Sequence, residues 1–345
     1  MEKILKIMIW TIIALFIQHG IFIYIEFSYL NTDSPIVIKK VEESKEEKYD
    51  ETDAIDIGQN SEKISISNDG EYISYLKNGK LKVIEWDNKK LKSFSGEVEG
   101  EVLAYKWLPE EKIIIAIQKI KVDEKYYYEP VSYNVAKGEI NELIDFNYNK
   151  TTIPFNDGEK VDDIEFSTST HSLYIKIIKE TGLSDIYYCN VMNIIKKVSY
   201  NKSIGKIIVP RTDTNVVFES EGKIRILNSE NEIEIPKVKI ARIIGIDGND
   251  NIYYGDEKDD KIDSIYYREF ENETGIWKVN YLDEPTEKTN IIVSNEGNIY
   301  YINKEGRYIT DILSAKTFGY EGTFIGTYDK GFIAVSKNII KKYER

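Results

Sequence analysis

Few residues in this 345-residue chain have the chemistry of a catalyst or a metal ligand. There are two histidines; His19 lies in an apolar run, which leaves His171, in the turn-like stretch STSTHSL, as the one imidazole for an aqueous site. Without a partner it reads as a surface residue. Cys189, the single cysteine, sits in the strand pattern DIYYCNV, where a small buried thiol is the default, and no intramolecular disulfide can form. A zinc site built from histidine and cysteine would have to use one of each, so no metal site is expected. Asp247 to Asn251, DGNDN, places oxygen side chains at the first three positions of a calcium loop. Ile252 then stands where the loop needs glycine and Lys258 where it needs a bidentate glutamate, so the stretch reads as a β-turn.

A serine hydrolase would require a G-x-S-x-G elbow with a histidine downstream, and the sequence holds neither. Catalysis would then fall to carboxylates. Asp69, Asp162 and Asp163 are the candidates for a pair working as acid and base in a hydrolase or lyase. For binding, the outstanding stretch is KIKVDEKYYYEPVSY, a long hairpin that carries Tyr126, Tyr127, Tyr128 and Tyr133 around Glu129 and Pro130. Aromatic rings on a rigid scaffold give large contact area with little rotamer entropy to lose. These four tyrosines are the expected binding residues; alternating tyrosines that merely cover a sheet edge are the competing reading. No catalytic residue and no cofactor are expected.

The elements that must position these residues are strands. From Ser61 onward the chain is almost wholly short β-prone runs, such as KISIS, YISYL, KLKVIEW and KIIIAIQ, punctuated by DG, NG, EG and DKG turns. No convincing amphipathic helical period follows residue 30. The triplet IYY recurs at residues 186, 252, 265 and 299, in comparable strand positions, which suits side chains packed across strands. Units of three or four strands open near Ser61, Glu99, Gly158, Ser203, Val238, Lys288 and Thr317, about forty residues apart, and a period of that length without helices predicts an all-β fold, a β-propeller of seven blades with six as the alternative. SNDGEYISYLKNGKL and SNEGNIYYINKEGRY are then the same inner hairpins of two different blades.

ISNDGEYISYL followed by KLKVIEWD, FSTSTHSLYIKI followed by GLSDIYYCNV, and IDGNDNIYYG followed by DSIYYREF resemble the WD40-like repeats of TolB-type and dipeptidyl-peptidase-type propellers. The resemblance runs in patches from residue 61 to about 315 and implies the fold far more than any activity. Two departures stand out. Asn68 replaces the usual proline, and the fourth unit, KIIVPRTDTNVVFESEGKIRIL, has no DG turn.

Ile7 to Ile25, IMIWTIIALFIQHGIFIYI, is uncharged and about the length that crosses a ~30 Å hydrocarbon core as a helix. Lys3 and Lys6 precede it while Glu26 and Asp33 follow, so the sequence predicts one N-terminal transmembrane helix with the N-terminus in the cytoplasm; a cleaved signal peptide is the competing reading, against which stand the length of the run and the lack of a small-x-small site after Ile25. The expected organisation is an anchor over 1–30, an acidic linker over 31–60 and a propeller over 61–345. The last unit offers three strands, one short of four, and PIVIKKV at 35–41 is the expected ring-closing strand. With 46 basic against 59 acidic residues, a net charge of -13 and no basic stripe, nucleic acid is an unsuitable partner. These features together point to a membrane-anchored, extracytoplasmic, non-catalytic module that binds an envelope protein, a peptide or a cell-wall polymer as a scaffold, sensor or accessory subunit.

Overall fold

The structure, a computed structural model, describes residue 18 and residues 52–95, 100–109, 111–229, 232–270 and 275–344. Seven antiparallel sheets succeed one another along the chain as the blades of a β-propeller. Blade 1 comprises Ser61–Ile66, Tyr72–Lys77 and Lys80–Glu85. Blade 2 comprises Glu101–Trp107, Ile113–Val122, Lys125–Asn134 and Glu139–Glu142, with the short strand Ile153–Pro154 added to Tyr127 and Tyr128. Blade 3 runs Lys160–Ser167, Ser172–Ile178, Ser184–Cys189 and Ile195–Lys202; blade 4 has Ile207–Ile208, Val217–Ser220 and Lys223–Ile226. Blade 5 is Ala241–Ile246, Asn251–Lys258, Lys261–Glu269 and Lys278–Thr286, and blade 6 is Ile291–Val293, Ile299–Asn303, Tyr308–Asp311 and Thr317–Gly319.

Blade 7 contributes Thr323–Tyr328, Gly331–Ser336 and Ile339–Glu344, and its fourth strand comes from the other end of the chain. Thr52–Asp56 pairs antiparallel with Ile339–Glu344, placing Ile55 opposite Ile340 and Asp56 opposite Ile339. The expectation of an N-terminal strand completing the last blade is therefore met by a different segment. Residues 35–41 lie outside the described residues, and the free edge they were expected to cover is taken by Thr52–Asp56. Ile55 and Ile57 are buried with Ile66, Ile73 and Trp86 of blade 1 and Ile333 and Ile340 of blade 7, which gives this strand an apolar reason to dock where it does. Thr317 begins the last strand of blade 6, so the seventh blade opens six residues later than the repeat spacing suggests.

The first strand of each blade faces the axis, and the turn that follows it lies at one end of the channel. Two of these turns are built alike. Ser67 Oγ donates to Asp69 Oδ1 at 2.6 Å and accepts from Tyr72 N at 2.9 Å; Ser294 Oγ donates to Glu296 Oε2 at 2.8 Å and accepts from Asn298 N at 3.2 Å. Gly70 and Gly297 take positive φ in them, where a side chain would be strained. This common geometry is the physical content of the repeated S-N-[DE]-G pattern. The isoleucines of all four IYY triplets, Ile186, Ile252, Ile265 and Ile299, are fully buried, and Tyr253 stacks on its cross-strand neighbour Tyr267 at 4.6 Å, so the triplets do pack the blades. Among the described residues no helix is long and apolar enough to cross a membrane; the segment from Ile7 to Ile25 lies outside them apart from Gln18.

Candidate functional site

The turns around one mouth of the channel are laced from blade to blade. Ser169 N and Ser167 Oγ donate to Arg211 O, Arg211 N donates to Asp250 Oδ1 at 2.7 Å, Gly248 N to Asn295 O at 2.7 Å, and Asp329 N to Asn68 O at 2.8 Å. Asp250 also accepts from Thr212 N and Thr212 Oγ1, and Asp247 accepts from Asn249 N, Asn251 N and the Tyr253 hydroxyl. The acidic turn DGNDN is thus consumed by structural hydrogen bonds, as its reading as a β-turn requires.

Behind this rim lies a cavity of about 380 Å³. Its walls are the inner-strand ends of the blades, apolar at Ile164, Ile208, Ile246 and Ile292 and charged at Lys106, Glu165, Lys206 and Arg211. Lys106 Nζ of blade 2 meets Glu165 Oε1 of blade 3 at 2.6 Å, and Lys206 Nζ donates to Ile244 O of blade 5 at 2.6 Å. Lys288, in the turn before blade 6, pairs with Glu219 of blade 4, which also accepts from Ile243 N of blade 5; in both ion pairs the carboxylate is buried and the ammonium partly exposed.

Burial, opposed by Lys106 and reinforced by the charge of Asp163, pushes the Glu165 carboxyl up to about 7. Burial likewise pulls the Lys206 ammonium below the usual lysine value. Glu165 therefore changes charge near neutrality, beside two lysines, in a cavity. The sign for stability follows: with its folded value raised above 4.5, the acid favours the folded state most below that pH, and the benefit fades as the pH rises through about 7. Glu165→Gln should accordingly flatten the fall in unfolding free energy between acid and neutral pH, by up to ~3 kcal/mol for a shift of this size. Denaturant titrations of the wild type and the variant across that range measure it.

None of Asp69, Asp162 and Asp163, the carboxylates picked out by sequence for catalysis, lines this cavity; Asp163, two residues from Glu165, reaches it only through its charge. Asp162 pairs with Lys176 at 2.7 Å on the side of blade 3, and Asp69 is held in the Ser67 turn, where it accepts from Glu71 N. The charged wall residues Lys106, Glu165 and Lys206 escaped sequence reasoning. Their signal is a charge set among apolar residues in or just before the first strand of a unit, as in AYKWL, IEF and GKIIV.

The tyrosine hairpin is divided by the structure. Tyr128 is fully buried, with its hydroxyl donating to Glu159 O at 3.0 Å, and Tyr133 is buried edge-on to Phe94, so both rings pack the interior. Two of the four rings expected to bind, Tyr128 and Tyr133, therefore lie inside the fold. Tyr126 stays exposed with Lys119 Nζ 4.4 Å from its ring centroid, and Tyr127 is half-buried. His171 lies in a turn at positive φ, edge-on to Phe166, and Cys189 is buried and uncombined.

No protein-family profile matches this sequence, and no curated protein matches it. Solved structures do. The chain is similar to the β-propeller domain of Cps50 (Swd1) from Myceliophteria thermophila, with a TM-score of 0.53 at 7% identity over 85% of this chain and all of that one. Weaker likenesses are to KlHsv2 with its loop 6CD replaced by a Gly-Ser linker (TM-score 0.45, 12% identity, 79% of this chain and 88% of that one) and to the dihydro-heme d1 dehydrogenase NirN in complex with DHE (TM-score 0.40, 10% identity, 74% and 64%). At 7% identity the likeness to the Cps50 domain speaks for the β-propeller fold alone.

Proposed function

We propose that this chain is a non-catalytic binding propeller, of TolB-like or dipeptidyl-peptidase-like type, held at a membrane by the apolar segment Ile7 to Ile25 with the propeller outside the cytoplasm. The reading is carried by one observation: a cavity of about 380 Å³ at the channel mouth that combines apolar walls with Lys106, Glu165, Lys206 and Arg211. A peptide end or a short polymer segment suits it, an apolar side group against Ile208 and Ile246 and a carboxylate on Lys206. Lys206 donates to one carbonyl, Ile244 O, and an ammonium has three donors, so a ligand carboxylate can be accepted without breaking that contact. The ligand would be an envelope protein, a peptide or a cell-wall polymer.

The test is a panel of tripeptides with free carboxyl termini and of amino-sugar oligomers, added to the full chain while its unfolding midpoint is followed. Carboxylate-bearing probes should raise the midpoint, and Lys206→Met should abolish the rise while leaving the unliganded midpoint within a few degrees. An undiminished rise in the variant removes Lys206 from the site. A second reading, a hydrolase or lyase using carboxylates in the channel, is favoured by Glu165, whose near-neutral titration beside Asp163 suits an acid–base group. Turnover of one of these probes, lost in Glu165→Gln, would select it.

A further inference from the structure

Two turns far apart in sequence meet at the outer part of blades 2 and 3. The first, residues 144–150, follows the last regular strand of blade 2; the second, residues 190–194, joins the last two strands of blade 3. Asn193 Nδ2 donates to Ile144 O at 2.9 Å and Thr151 Oγ1 donates to Asn193 O at 2.5 Å, so the turns form one surface. Each is internally braced. Asp145 Oδ1 accepts from Asn147 N and Asn149 N, and Asn190 Oδ1 accepts from Met192 N and Ile194 N. This bracing holds large apolar side chains out in solvent: Phe146 is 69% exposed, Tyr148 90%, Val191 66% and Met192 60%, with Ile144 and Ile194 beside them. Neither the channel nor any blade core uses these residues, and apolar side chains gathered on a braced surface mark a contact site.

The charge beside them distinguishes the partner. In a chain of net charge -13, residues 190–202, NVMNIIKKVSYNK, contain three lysines and no acid. Lys197 is paired with Asp185 at 2.8 Å; Lys196 and Lys202 are exposed with Tyr200 between them on the outermost strand, and neither forms an ion pair among the described residues. Asp145, the acid within the first turn, has its carboxylate turned to the backbone and side-chain amides of its own loop. Lys196 lies two residues from the second turn, whereas Lys202 is at the other end of the strand; turn tips bearing Phe, Tyr, Val and Met with an unpaired lysine beside them have the chemistry of the boundary between acyl chains and anionic headgroups.

We propose that this paired turn surface rests on a bilayer containing anionic lipid, with Phe146, Tyr148, Val191 and Met192 entering the interfacial layer and Lys196 facing headgroup phosphates. The inference shares with the proposed function the premise that the chain works at a membrane, but it concerns contact by the propeller itself, whatever the N-terminal segment does.

The experiment uses the full chain reconstituted into phosphatidylcholine vesicles with or without phosphatidylglycerol. Met192→Cys carries an environment-sensitive dye, Glu305→Cys in an exposed hairpin turn of blade 6 carries the same dye as reference, and the buried Cys189 stays unlabelled in the folded protein. Flotation reports whether the chain is held by the vesicles; nitroxide-bearing lipids report whether each dye touches acyl chains. The expected result is several-fold stronger quenching at position 192 than at 305, greater with phosphatidylglycerol, and largely lost when Phe146 and Tyr148 are replaced by serine. If the chain floats but the dye at 192 is no more quenched than that at 305, lipid contact by this surface is overturned while attachment through another segment stands. If the chain does not float and no dye is quenched, both readings fall. Equal quenching in pure phosphatidylcholine overturns the anionic-lipid claim.

Discussion

Replacing Ile55 and Ile57 together by alanine is expected to open the ring and lower the unfolding midpoint by roughly 10 °C or more. Both side chains are buried between blades 7 and 1, and the strand that carries Ile55 is the partner of Ile339–Glu344. Truncating a buried isoleucine costs about 2–5 kcal/mol, and each kcal/mol moves the midpoint of a domain this large by ~2 °C or slightly more. The damage should exceed the local packing loss, because the unpaired outer edge of blade 7 also loses its ladder and the seam beside blade 1 its apolar fill. Deleting residues 31–42 is the companion measurement. With the edge already occupied by Thr52–Asp56, that deletion should leave the midpoint nearly unchanged; a fall as large as that of the double variant would place the closing contribution upstream.

Tyr128→Ser should be the second most damaging substitution, at about 3–5 kcal/mol, because it removes a large buried aromatic ring from the core. The Tyr128 ring contacts Phe155 at 5.0 Å within the cluster that joins blade 2 to Ile164, Leu173 and Ile175 of blade 3. Its hydroxyl satisfies Glu159 O, so serine leaves both a void and an orphaned carbonyl. Tyr126→Ser, two residues earlier on the same strand, is the contrast. That ring is exposed, with an edge contact to Phe155 and the ammonium of Lys119 above it, and its loss should cost ~1 kcal/mol or less. Urea titrations of the two single variants separate packing from surface; equal costs would refute the assignment of Tyr128 to the core.

Whatever depends on neighbours along the chain could be read before any blade was placed. Turn residues fix φ over a few positions and side chains alternate along a strand, so the hairpins at Ser67 and Ser294, the seven units and the three-stranded C-terminal blade were all legible. The same local rule identified the IYY triplets as packing residues. Tertiary structure decided everything that requires one blade to face another. Thr52–Asp56 closes the ring, where 35–41 reads more strongly as a strand, because Ile55 and Ile57 fit the seam between blades 7 and 1. Alternation could say that Tyr126 and Tyr128 share a face of their strand, but Tyr128 is enclosed in the cluster shared with blade 3, whereas Tyr126 meets Phe155 edge-on and stays exposed. Lys106, Glu165 and Lys206 come from three blades and acquire a common cavity, and Glu165 its raised titration, only when the inner strands converge on one axis. The apolar turns at 144–150 and 190–194 are likewise ordinary loops in sequence, and they become one surface through the hydrogen bonds of Asn193, whose partners lie more than forty residues away.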